Sequence, residues 1–146
     1  MTFCKRGRQV GKRTKARELA VQALYQLDVQ GPELLGRLDR FFSENESDKA
    51  VTKLAMEWTT GTWENLQRCD ELINDSTIRW DLSRLSIVDK SILRLSVYHL
   101  MFCTDIPPKV VINEAIEIAK KFSTMQSSGF INGVLDAVLK KAVPSK

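Results

Sequence analysis

Apolar residues recur along the chain at three- and four-residue spacing, and nowhere do they alternate in the two-residue rhythm of a strand. Ala16, Leu19, Ala20, Ala23, Leu24 and Leu27 share one face and predict a helix from about 12 to 29, stopped by Gly31-Pro32. Leu34, Leu35, Leu38, Phe41 and Phe42 predict a buried face on a second helix, 33–44, before the polar stretch SENESD. Val51, Leu54, Ala55, Trp58, Thr62, Leu66, Cys69 and Ile73 keep the spacing straight through Gly61 and predict one long helix. Ser47 or Asp48 is placed to cap it, and Asn74-Asp75-Ser76 ends it. A glycine inside a helix costs about 1 kcal/mol against alanine, so Gly61 implies close packing against a neighbour.

Residues 77–85 read as a short connector around Trp80, either a packing residue between two halves of the fold or an exposed base-stacking one. Ser86-Ile87-Val88-Asp89 has the form of a capping box, a serine followed three residues later by an acid. The helix it opens, 87–104, carries Val88, Ile92, Leu93, Leu95, Val97, Leu100, Met101 and Phe102. Apolar residues on nearly every face predict a central, buried helix. Pro108 suits the first turn of the next one, where Val111, Ile112, Ala115, Ile116, Ala119 and Phe122 recur. A polar break, STMQSSG, precedes a last helix with Ile131, Val134, Leu135, Val138 and Leu139, and Val143-Pro144 ends the fold. Two helices joined by a short polar loop pack as an antiparallel pair. The prediction is an all-α protein of about six or seven helices. A flexible basic tail, 1–11, precedes one folded domain, 12–143.

Two blocks, VINEAIEIAKKF and FINGVLDAVLKK, resemble the C-terminal half of the NusB family of bacterial transcription antitermination factors. The resemblance extends to LSIVDKSILRL (85–95), Val97-Tyr98, Asp105-Ile106-Pro107 and, near the start, ARELAVQALY (16–25). It implies two packed three-helix bundles and binding of boxA RNA, a short single-stranded leader element, through an arginine-rich N-terminus and the start of the last helix. Those family positions fall on Arg13, Lys15 and Arg17, with Lys12 beside them, while Thr14 stands where relatives carry a cation. Phe130 is the aromatic opening the last helix, either meeting a base or anchoring the loop. Relatives read much like FGAEDS where this chain has Phe122-Ser123-Thr124-Met125-Gln126-Ser127, so Gln126 belongs to the RNA-facing set with altered polar contacts. The resemblance also implies a partner, the ribosomal protein NusE, acting with the transcription elongation complex on ribosomal RNA operons. Asp89 is the candidate partner contact, or only the acid of the capping box. Some relatives form dimers, which allows a homodimer that masks the RNA site.

Charge sharpens this picture. The net charge is only +4, but Lys5, Arg6, Arg8, Lys12, Arg13, Lys15 and Arg17 all precede the first acid, Glu18. Such a run is a phosphate-binding footprint or a solvated tail. No apolar run approaches a membrane span, and the N-terminus lacks an apolar signal core. A basic, acid-poor start also fits a transit peptide, whereas the resemblance implies a bacterial cytoplasmic protein. Cys4, Cys69 and Cys103 form no C-x-x-C pair, and His99 is the single histidine, which excludes a multi-histidine metal site within one chain; its place in a helix apolar almost all round points to packing and not catalysis. Phosphate-loop, dinucleotide and nucleophile-elbow motifs are missing. The chain therefore reads as a recognition protein, not an enzyme, with no cofactor. Two other functions compete: an accessory domain related to ribosomal RNA methyltransferases, and a protein-interaction module with an incidental basic tail.

Overall fold

The computed structural model describes residues 11–77 and 85–142. Among these are seven α-helices and no strand. They are α1 (Lys12–Gln30), α2 (Leu38–Asn45), α3 (Lys49–Glu64), α4 (Leu66–Asp75), α5 (Ile87–Phe102), α6 (Pro108–Phe122) and α7 (Met125–Ala142), with a 3₁₀ helix at Pro32–Arg37. Trp80, Cys4, Val143-Pro144 and residues 1–10 of the basic tail lie outside the described residues. The chain forms two compact units, Met1–Thr60 and Gly61–Lys146, and the division falls within α3.

In the first unit, all six apolar residues expected on the inner face of α1 are buried, joined by Arg17 and Val21 one position round. Gly31 ends α1 at φ 104, its N–H donating to the Leu27 carbonyl at 2.9 Å. That left-handed backbone favours glycine, and a Cβ there would also lie 2.7 Å from the Glu33 carboxylate. The single second helix expected at 33–44 is instead a 3₁₀ turn followed by α2. Gly36 weakens an α-helix at this point. The tighter winding turns Leu34, Leu38 and Phe42 inward and leaves Leu35 exposed and Phe41 half-buried, contrary to expectation. Asp48 caps α3, its Oδ1 accepting from the Ala50 N–H at 2.9 Å.

In the second unit, the long helix expected through Ile73 breaks at Asn65. Its side-chain amide donates to the Gly61 carbonyl at 2.8 Å, and its own N–H is shared between the Gly61 and Thr62 carbonyls. A short amide side chain competes for the carbonyl that a helix needs. The helical pattern resumes as α4 when Cys69 N–H reaches Asn65 O at 3.0 Å.

Helix α5 is buried nearly all round, as its pattern predicts: Ser91, Arg94, Ser96 and His99 are buried beside Ile92, Leu93, Leu95 and Val97. Two features depart from expectation. The helix stops at Phe102, 48% exposed and stacked on Tyr98, and Cys103 lies just beyond it instead of within it. Arg94 pairs with Asp70 of α4 through Nε–Oδ1 at 2.8 Å and Nη2–Oδ2 at 3.0 Å. Helices α5, α6 and α7 pack on one another, α6 most closely on α7. Lys141 Nζ donates to the Asp75 carbonyl at 2.7 Å, so the end of α7 satisfies the end of α4.

Candidate nucleic-acid interface

In the first unit the expected phosphate contacts occupy the opening of α1. Lys12, Arg13 and Lys15 are exposed. No side chain caps this end, Gly11 standing at the N-cap, and no acid lies in the first turn. Three cations thus sit where the helix dipole is itself positive, an arrangement that attracts anions. Lys12 is partly balanced, its Nζ lying 3.4 Å from the Asp48 carboxylate. Burial acts to raise the Asp48 carboxyl. The Ala50 N–H and the Lys12 ammonium oppose it, and the net effect holds Asp48 below its ordinary value.

Arg17 differs from the other three. It is 4% exposed, with its guanidinium 5.3 Å from the centre of the Trp58 ring, a cation–π distance. A phosphate would reach it only after that packing opened. The fourth cation of the sequence pattern is the one that turns inward, because 17 and 21 share the second buried strip of α1.

In the second unit the polar stretch expected to join α6 and α7 is mostly helix. Only Ser123 and Thr124 separate the two, and α7 begins at Met125. Thr124 Oγ1 accepts from the Ser127 N–H at 2.9 Å, an N-cap supplied by the chain itself. Phe130 therefore lies more than a turn inside α7 and does not open it. Gln126 and Phe130 stand four residues apart on one helical face. With Leu85, Ser86, Asp89, Thr124 and Ser127 they line a pocket of about 300 Å³. Gln126 is exposed, Phe130 half-buried, and Met125, its neighbour in the altered loop, 70% exposed.

Asp89, the expected partner contact, faces this same pocket. Its N–H donates to Ser86 Oγ at 3.1 Å, completing the serine half of the capping box. Its carboxylate does not turn back to the cap. It accepts from Ser123 Oγ and from Ser127 Oγ, both at 2.9 Å. The apolar spacing carries no sign of the roles of Ser123, Thr124 and Ser127, because the stretch is polar. The signal was present as a threonine followed three residues later by a serine.

Among the described residues, no three His, Cys, Asp or Glu side chains cluster to hold a metal ion, and no helix is long and apolar enough to cross a membrane. The candidate recognition groups are exposed cations in the first unit and, taken separately, an aromatic–amide pocket in the second.

The NusB family model matches residues 14–140. Transcription antitermination protein NusB of Anaeromyxobacter dehalogenans (strain 2CP-1) is 42% identical over 136 residues, spanning 92% of this chain and 95% of that protein. The protein of the same name from Clostridium perfringens is 41% identical over 130 residues, spanning 88% and 96%. Among solved structures, T. maritima NusB superposes with a TM-score of 0.82 at 37% identity, covering 93% of this chain and 95% of that one. A complex of the antitermination factors NusB and NusE with double-stranded RNA contains a chain similar at a TM-score of 0.77 and 26% identity, covering 88% and 96%.

Proposed function

Because the chain belongs to the NusB family, we propose that it is a transcription antitermination factor that binds boxA-type single-stranded RNA together with the ribosomal protein NusE. The carrying observation is the family match over residues 14–140, in a chain that spans nearly the whole length of relatives bearing that name. The geometry supports it. Single-stranded RNA is held by cations along its backbone and aromatic faces under its bases. Lys12, Arg13 and Lys15 are the phosphate contacts in this reading, and Gln126 and Phe130 meet a base. Arg17 adds a phosphate contact if its packing over Trp58 opens, and otherwise holds α1 to α3.

The protein has no catalytic role in this reading; it acts by bringing RNA and NusE to the elongating polymerase. Its place is the cytoplasm, where nascent ribosomal RNA and ribosomal proteins meet. The test is RNA binding by the full chain, with and without NusE, to a boxA-type single strand, a scrambled strand and a duplex of the same length. Preference for the boxA-type strand, strengthened by NusE, is the expected result. Equal binding to all three RNAs, unaffected by NusE, overturns the proposal.

A further inference from the structure

Asp89 joins three segments through atoms of one residue. Its backbone N–H holds Ser86 at the start of α5. Its carboxylate holds Ser123, where α6 ends, and Ser127, in the first turn of α7. Hydrogen bonds to an ionised acceptor are the strong ones, and at 7% exposure water competes poorly for these two. Ser127 is fixed a second time, through its N–H to Thr124 Oγ1. Gln126 precedes Ser127 directly and Phe130 follows within a turn. Fixing Ser127 therefore fixes the azimuth of the helical face that carries both pocket side chains.

The charge of the pocket bears on what enters it. Among the described residues that line it, Asp89 is the one with a formal charge, and that charge is negative. A carboxylate repels phosphate, and with two serine hydroxyls turned to that carboxylate the pocket lining also presents an aromatic ring and a carboxamide. That combination fits an uncharged base better than an RNA backbone. A base is read by hydrogen bonds whose donors must be held in place, so small rotations of α7 matter for recognition.

Resting on the function proposed above, we propose that Asp89 is a positioning residue for base recognition. It locks the opening turn of α7, orients Gln126 and Phe130, and so sets how well the site distinguishes one RNA sequence from another. It does this from inside the fold, without being a contact for NusE.

The variants are Asp89→Asn and the double variant Ser123→Ala/Ser127→Ala, studied as full chains. Asp89→Asn keeps the backbone N–H that meets Ser86, so the cap of α5 is left intact. Affinities for boxA-type and scrambled single strands are measured with NusE present, with salt dependence and NusE affinity measured alongside. Both variants should lower the ratio of the two RNA affinities about fivefold or more, the scale of one misread base. The salt slope and NusE affinity should not change, a pattern that general loosening of the fold would not give. Amide hydrogen exchange should quicken at residues 127–130 and stay slow in the middle of α5.

A folded Asp89→Asn protein with wild-type discrimination overturns the proposal. So does weakened NusE binding with discrimination intact, which would make Asp89 a partner contact. If the wild type itself binds both RNAs alike, the function proposed above fails, and the recognition role of Asp89 with it. Exchange at 127–130 then judges the lock alone, and unchanged protection in both variants rejects that too.

Discussion

Tyr98 occupies the space that any side chain at residue 61 would need: a Cβ on Gly61 would lie 2.2 Å from the Tyr98 hydroxyl oxygen and 2.4 Å from Cζ. Burial, with Cys103 adding to it, pushes the Tyr98 phenol up to about 12, so the ring meets α3 as a neutral group. Gly61→Ala should destabilise the protein by about 1–3 kcal/mol through overpacking, offset by about 1 kcal/mol of helix propensity. In a Tyr98→Leu background the same change should become neutral or stabilising. Urea unfolding of the four proteins of this double-mutant cycle checks the coupling.

The ion pair between Arg94 and Asp70 makes a second stability prediction. Asp70→Asn removes the negative partner and leaves a nearly buried guanidinium. Losing one partner of a fully buried pair costs about 3–5 kcal/mol. Asp70 is partly exposed, so a loss of about 1–3 kcal/mol is expected. Replacing both residues, as Asp70→Ala/Arg94→Met, should recover part of it. Thermal and urea unfolding would read both.

Cys69 makes a prediction in pH. Burial pushes its thiol up to about 12 from 9.0. The folded protein holds this proton more tightly than the unfolded chain, so the associated stability is present below pH 9 and lost as pH rises toward 12. At pH 8 the thiol should be inert in the native state and should react with iodoacetamide only after denaturation. Rapid native labelling at Cys69, located by peptide mapping, would contradict its placement.

The exposed cations of α1 predict a salt dependence. Each phosphate contact on a single strand contributes a log–log slope of about −0.7. Replacing Lys12, Arg13 and Lys15 by alanine should therefore flatten the slope by about 2. The loss of affinity should be similar for boxA-type and scrambled RNA, because phosphate contacts carry no sequence information directly. Arg17→Ala alone should leave the slope nearly unchanged and lower stability instead.

Phe130→Ala should behave in the opposite way. Loss of a stacking face costs about 1–3 kcal/mol per base while leaving the salt slope intact. Full affinity in a folded variant would reduce Phe130 to a packing residue.

Periodicity located the helices because burial imposes it, and α1, α5 and α6 appear close to where the spacing puts them. The exceptions have local causes. Asn65 breaks α3 from α4 through its own side chain, which a count of apolar positions does not register. The start of α7 carries no apolar stripe, since Gln126 to Gly129 are polar or lack a side chain, although Thr124 and Ser127 supply a cap. Family motifs in the sequence drew attention to Arg17, Gln126, Phe130 and Asp89. They could not tell that Arg17 turns inward over Trp58, since one helical step decides it. The serines that engage Asp89 lie 34 and 38 residues away along the chain, a pairing that only the fold supplies.

The bond from Lys141 to the last carbonyl of α4 has a temporal consequence. During synthesis the first unit has all its helical residues before α5 has been made. The second unit needs α7 on α5, and the lysine near the end of α7 on Asp75. Vectorial folding, in which N-terminal parts fold first, would thus give a settled first unit while α5 waits with its apolar surface uncovered. A nascent chain stalled before residue 125 should recruit holdase chaperones through that helix, and one that has emerged past Lys141 should release them.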